Sequence, residues 1–193
     1  MSHAGPPPAP GFTVWLTGLS GAGKSTVAGL VIEQLEARGR TVEYLDGDVV
    51  RTHLSRGLGY SREDRDTNIE RIGWVASRLT RHGAAVVVAA ISPYREARRS
   101  ARRRVEEFGP FVEVWIDASV EECTRRDPKG LYAKALAGQI EHFTGVNDPY
   151  EPPERAEVHL ETERLSPGES AEIVLAELER IGVVPARGAL TPG

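Results

Sequence analysis

Residues 18 to 25, Gly-Leu-Ser-Gly-Ala-Gly-Lys-Ser, satisfy the pattern G-x-x-x-x-G-K-[ST] at each fixed position and follow directly on an apolar run. Glycines at 18, 21 and 23 reach backbone angles that a Cβ disfavours, so successive N–H groups can turn inward as an anion-binding nest. Lys24 adds a mobile positive charge within reach of outer phosphates, and the Ser25 hydroxyl is a hard oxygen suited to Mg²⁺. Phe12 to Thr17 reads as a buried strand and Thr26 to Arg38 as a helix, whose N-terminal dipole favours phosphate. The nucleotide-binding segment is therefore expected to comprise Gly18, Ser20, Gly21, Ala22, Gly23, Lys24, Ser25 and Thr26.

What else such a loop can belong to is bounded by the remainder of the chain. Its 193 residues suffice for one α/β domain with a full core. A formal net charge of −4 supplies no basic footprint for duplex nucleic acid. The single cysteine, Cys123, excludes an internal disulfide and any cysteine metal cluster, and the five histidines lack metal-ligand spacing. The first ten residues have neither a basic nor an apolar leader region, and no run of 18 apolar residues occurs, so a cytoplasmic protein without membrane partners is expected.

Taken in order, residues 1–11 are expected to form a disordered Pro- and Gly-rich arm, residues 12–184 the folded domain and residues 185–193 a disordered tail. Gly39 stops the first helix, and residues 41–45 form a second strand ending in Asp46-Gly47-Asp48, where α/β sheets place ligands. Asp48 could instead cap the helix that follows. Ser61 opens a long helix with Ile69, Ile72, Val75, Ala76 and Leu79 on one face and Gly83 at its close. The wholly apolar stretch Ala84 to Ala90 reads as a central parallel strand, leading into Ile91-Ser92-Pro93-Tyr94-Arg95. A helix to about Glu107 carries six arginines with interleaved glutamates and reads as a solvated face. Residues 111–117 form another strand, and Ser119 caps a helix to about Arg126 that carries Cys123 toward the core. Residues 127–153 mix glycine, proline and aromatics around a short helix near 132–142, as a water-excluding lid would. A last strand near 157 and a capping box at Ser166-Pro167-Gly168-Glu169 complete the chain. Five strands alternating with helices predict a five-stranded parallel sheet with helices on both faces, a P-loop NTPase fold with a lid.

A P-loop alone does not separate a kinase from a switch GTPase or a motor ATPase. There is no Asn-Lys-x-Asp guanine-reading motif, and a lid-like segment beside a polar cluster on neighbouring strand ends is the anatomy of a small-molecule kinase. Six blocks from Trp15 to about Thr162 resemble the adenylylsulfate kinase (APS kinase) family in order and spacing. They are Gly18 to Thr26, Leu45 to Asp48 with Arg51, and Leu58 to Arg65 with Asn68 to Gly73, then Ile91 to Arg95, Arg126 to Tyr132 and Phe143 to Gly145.

The resemblance implies an ATP- and Mg²⁺-dependent enzyme that phosphorylates the 3′-hydroxyl of adenosine 5′-phosphosulfate (APS) to give PAPS, commonly as a homodimer. It implies Asp46 as general base and, with Ser25, partner of Mg²⁺, with Lys24 and Ser92 as the other catalytic candidates. Arg51, Arg65 and Asn68 match positions that grip acceptor oxygens, with Asp48 and Thr144 beside them. Tyr60 and Phe143 fall where the family sandwiches the acceptor adenine. Ile91 and Ser92 would touch the same acceptor, Lys129 would close over the phosphates with the lid, and Arg126 would lie near the ATP base. Ser92 as a phosphoenzyme nucleophile lacks an adjacent base, and Asp117, which ends an apolar strand, could pass for a Walker-B carboxylate, but the resemblance places the working carboxylate at Asp46. Val49 stands where the family usually has asparagine, and Tyr60 where phenylalanine is commoner. Two other readings therefore stand beside the first: a kinase of this fold acting on a different nucleotide or nucleoside hydroxyl, and an NTP-binding regulatory module without an acceptor.

Overall fold

The computed structural model describes residues 9–186; of the arm and tail expected at 1–11 and 185–193, residues 1–8 and 187–193 lie outside the described residues. The elements run β1 (Phe12–Thr17), α1 (Lys24–Ala37), β2 (Val42–Asp46), α2 (Gly47–His53), α3 (Arg62–Arg81) and β3 (Ala85–Ala89), then α4 (Arg95–Glu106), β4 (Phe111–Asp117), α5 (Val120–Arg126), α6 (Leu131–Leu136), β5 (Val158–Glu161) and α7 (Pro167–Arg180). The five strands form one sheet in the order β2-β3-β1-β4-β5, and each neighbouring pair is parallel. The α/β sheet read from the sequence is thus the one observed.

Two-residue alternation sorts the strand side chains between two cores. Phe12, Val14 and Leu16 of β1 join Val31 and Leu35 of α1 and Val174 and Leu178 of α7 on one face. Trp15, with Val86 and Val88 of β3, meets Ile69, Ile72 and Ala76 of α3 and Ala101 and Val105 of α4 on the other. β1 is buried throughout, which fixes the strand that launches the phosphate loop at the centre of the molecule. Cys123 is fully buried on the α1 side, as expected.

Serine side chains cap the starts of α3, α5 and α7. The Ser61 hydroxyl accepts from Asp64 N, Ser119 from Glu122 N, and Ser166 and Glu169 form the reciprocal capping box. Two expectations need correction. The short helix expected over 132–142 stops at Leu136, because Ala137 caps it and Gly138 turns left-handed at φ 71°. The solvated face expected of the α4 arginines holds for Arg99, Arg103 and Arg104, which pair with Glu154, Glu96 and Glu70 at the surface, but not for Arg98, which is buried against Glu113, and only partly for Arg102, which pairs with Glu157. Among the described residues no helix is long and apolar enough to cross a membrane.

Candidate active site

The loop between β1 and α1 is bound tightly to the sheet. A Cβ on Gly18, whose φ is 148°, would sit 2.3 Å from the Ile116 carbonyl oxygen, so only glycine lets the chain leave β1 here. Gly23 is the left-handed N-cap of α1 and offers no side chain to the first helical N–H groups, which remain free for an anion. Lys24 folds back over this turn, its Nζ donating to the carbonyls of Gly18 at 2.9 Å and Leu19 at 2.7 Å. Burial pushes its ammonium down to about 8. A phosphate placed against it would offset that cost, so the side chain is electrostatically prepared for an anionic ligand.

Asp46 closes the other wall. It ends β2 and is itself the N-cap of α2, its Oδ1 accepting from Asp48 N at 2.9 Å and Val49 N at 3.3 Å. The capping role considered for Asp48 therefore belongs to Asp46. Its second oxygen, Oδ2, lies 3.5 Å from Ser25 Oγ and accepts from the Tyr44 hydroxyl at 3.0 Å. Burial, together with that carboxylate, pushes the Tyr44 phenol up to about 12, so it stays a proton donor. Tyr44 was not expected at the site, although two-residue strand periodicity places residues 44 and 46 on one face. Ser25 and Asp46 offer hard oxygens from facing walls, and among the described residues no group of three or more His, Cys, Asp or Glu could hold a metal. That donor set fits Mg²⁺, which takes one or two protein oxygens and completes its shell with water and phosphate.

Two cavities meet at this wall. The larger, about 620 Å³, is lined by Ser20 to Thr26, Asp46, Arg126, Lys129 and Thr162; the smaller, about 280 Å³, by Arg51, Arg65, Asn68, Ser92, Phe143 and Thr144. They share Gly47, Asp48, Tyr60, Ala90, Ile91 and Leu131. Gly18 lies behind the larger cavity and reaches the site through its carbonyl on Lys24. A separate hollow of about 540 Å³ beside Trp115 contains Asp117 but neither Lys24 nor Asp46, and Asp117 pairs with His159 at 2.8 Å. Asp117 is thus outside the site.

In the larger cavity Arg126 is fixed by Glu122 at 2.7 Å and by the Thr162 carbonyl at 2.9 Å, and Thr162, unforeseen from the sequence, also donates to Ala22 O at 2.8 Å. Lys129 reaches across to pair with Asp48. In the smaller cavity Arg65 is buried and ties two segments together, donating from Nε to Tyr60 O at 2.8 Å and from its other nitrogens to the Thr144 hydroxyl and the His142 carbonyl. Arg51 lies over the Tyr60 ring with its guanidinium carbon 4.4 Å from the ring centroid. Tyr60 is 57% exposed, whereas Phe143 is buried edge-on against Tyr132. The Asn68 side-chain oxygen is buried and has no protein partner, an acceptor left for a ligand.

Ser92 lines the smaller cavity while its hydroxyl accepts from Trp15 Nε1 at 3.0 Å and donates to Ala90 O at 3.0 Å, so two scaffold hydrogen bonds hold the side chain in place. Val49 is 56% exposed and lines neither cavity.

The family model described as adenylylsulphate kinase matches residues 10–161. The adenylyl-sulfate kinase of Synechococcus sp. (strain JA-2-3B'a(2-13)) is 56% identical over 174 residues, covering 90% of this chain and 98% of the relative. Among solved structures, the Mycobacterium tuberculosis APS kinase in complex with AMPPNP and APS superposes with a TM-score of 0.85 at 46% identity, over 90% of this chain and 99% of that one. A hexameric APS kinase from Thiobacillus denitrificans aligns with a TM-score of 0.69 at 39% identity, over 90% of this chain and 30% of that one.

Proposed function

The chain belongs to the adenylylsulphate kinase family, and we propose that its two adjoining cavities divide that family's reaction between them: ATP in the larger, APS in the smaller, with the γ-phosphoryl group passing to the APS 3′-hydroxyl. The observation that carries this assignment is the wall of Gly47, Asp48, Tyr60, Ala90, Ile91 and Leu131 shared by both cavities, which puts a second cavity directly beside the one that holds the phosphate loop.

Lys24 and the free N–H groups at the start of α1 hold the phosphates, and Arg126 flanks the far end of the nucleotide. Asp46 Oδ2 orients the acceptor hydroxyl and receives its proton as the oxygen bonds to γ-phosphorus and ADP departs. Ser25 and Asp46 would hold Mg²⁺, which would supply neutralisation of the charge on the transferred group. Arg51, Arg65 and Asn68 bind acceptor oxygens, Tyr60 and Phe143 flank its base, and Lys129 exchanges its Asp48 partner for phosphate as residues 127–153 cover the site. The functional assembly is a homodimer, as the resemblance favours; light scattering distinguishes it from the hexamer of the Thiobacillus relative.

The test is ADP release from Mg²⁺-ATP with APS and with a panel of adenosine and cytidine nucleotides. Stimulation by APS that Lys24→Ala abolishes supports the assignment. Turnover with another nucleotide alone, or ATP binding with no acceptor-dependent turnover, overturns it.

A further inference from the structure

One wall of the smaller cavity, the turn Ile91-Ser92-Pro93, is held from behind by several groups, among them one buried guanidinium. Ser92 is left-handed at φ 42°, a conformation that residues with a Cβ keep only where their surroundings enforce it. Arg98, 2% exposed, donates from Nη1 to Ser92 O at 2.6 Å, from Nη2 to Glu151 O at 2.7 Å and from Nε to Glu113 Oε1 at 2.8 Å. The segment returning from 127–153 is bound to the same turn a second time, since Glu151 N donates to Pro93 O at 2.8 Å. Next to Glu151, the Tyr150 hydroxyl lies 3.0 Å from Thr17 Oγ1, which donates to Ile91 O at 2.7 Å. Thr17 is the last residue of β1 and immediately precedes Gly18, whose own N–H lies 3.5 Å from the Ile91 carbonyl.

Three chain segments thus meet behind the two cavities: the strand that launches the phosphate loop, the turn that walls the acceptor cavity, and the return of the candidate lid. We propose that Arg98 and Tyr150 are positioning residues of phosphoryl transfer, forming a buried clasp that fixes the phosphate loop relative to the acceptor wall. The inference rests on the assignment of ATP and APS to the two cavities. Neither side chain touches a substrate; each acts through backbone that does. Because in-line transfer depends on approach to within about 3–3.5 Å, and displacement by about 1 Å can cost 10²-fold, loosening the clasp falls on turnover while each cavity keeps its own ligand contacts.

The experiment compares the unsubstituted protein with Tyr150→Phe, which removes one hydroxyl and keeps the ring, and with Arg98→Met. Turnover is expressed per site competent to bind AMPPNP, counted by calorimetry, which also gives the Kd of AMPPNP and of APS separately. The clasp predicts that kcat per competent site falls about tenfold in Tyr150→Phe while both Kd values stay within about twofold. Should Arg98→Met fail to fold, Tyr150→Phe carries the test alone. Unchanged kcat per competent site, whether or not the melting temperature drops, would overturn the clasp and leave Arg98 and Tyr150 as scaffold. Absence of APS-dependent turnover in the unsubstituted protein would overturn the cavity assignment and the inference with it.

Discussion

Replacing Arg65 by lysine keeps the charge and removes the fork. The guanidinium spans the Tyr60 carbonyl on one segment and the His142 carbonyl and Thr144 hydroxyl on another, with Asp148 3.7 Å away. An ammonium is a single point on a shorter reach, so it can serve one segment and leaves about two of the three hydrogen bonds unmade. Hydrogen bonds to a charged group are worth about 1.5–3 kcal/mol each, which puts the loss at about 3–6 kcal/mol before water refills the gap, and nearer 2–3 after it. Phe143 lies between the two lost partners, so the loss loosens the aromatic wall of the acceptor cavity. At about 1.4 kcal/mol per decade, even the lower figure predicts a roughly 30-fold weaker APS affinity. The phosphate loop is untouched, and AMPPNP affinity stays within about twofold. Calorimetric titration of Arg65→Lys with each ligand checks this, and equal weakening of both, or none of either, refutes the reasoning.

Gly73→Ala on α3 would place a Cβ 2.8 Å from Ala101 Cβ and 3.0 Å from Ala101 Cα. The overpacking costs about 1–3 kcal/mol and exceeds alanine's helix-propensity gain of about 1 kcal/mol, so the melting temperature falls by several degrees; a rise would contradict the close α3–α4 contact. Cys123 is fully buried and burial pushes its thiol up, so a thiol reagent should label the native protein only as fast as the chain unfolds. Labelling faster than unfolding would place the thiol at the surface. Hydrogen bonds from Arg125 and then Arg126 hold the Glu122 carboxyl down to about 2. Its folded pKa lies below its unfolded one, so the stabilisation is complete above the ordinary carboxylate pKa of about 4.3 and is lost as pH falls through about 2. Glu122→Gln should therefore lower the melting temperature at pH 7 by an amount that shrinks below pH 4; a pH-independent difference would show that charge is not its cause.

Much of the site was legible because its chemistry is local in the chain. The phosphate loop needs glycines at fixed intervals, and Gly18 and Gly23 show why, one through close approach to Ile116 and the other as a left-handed cap. The apolar run at 84–90 reads as a doubly covered strand, and β3 is buried throughout at an interior position of the sheet, between β2 and β1. What stayed hidden depends on the direction in which side chains point. Ser92 has the composition of an active-site serine, yet the indole of Trp15, 77 residues earlier, claims its hydroxyl. Arg98 sits in a run of exposed arginines, and only the return of Glu151 beneath α4 makes it internal. Asp46 and Asp48 are indistinguishable as capping candidates until the backbone turn decides which one reaches the helix. Val49 departs from the family pattern in sequence, but its place at the surface separates that departure from the cavities.

The central claim is that Asp46, in the larger cavity next to the shared Gly47, receives the proton of an APS 3′-hydroxyl as ATP phosphorylates it. The most direct measurement is phosphorus NMR of the product formed from Mg²⁺-ATP and APS, with single-turnover rates for the unsubstituted protein and Asp46→Asn. The account predicts one new phosphomonoester at the 3′ position and a transfer rate at least about 10²-fold lower in Asp46→Asn, the range expected for loss of a general base. Phosphate at any other position, or an undiminished rate in Asp46→Asn, would contradict it.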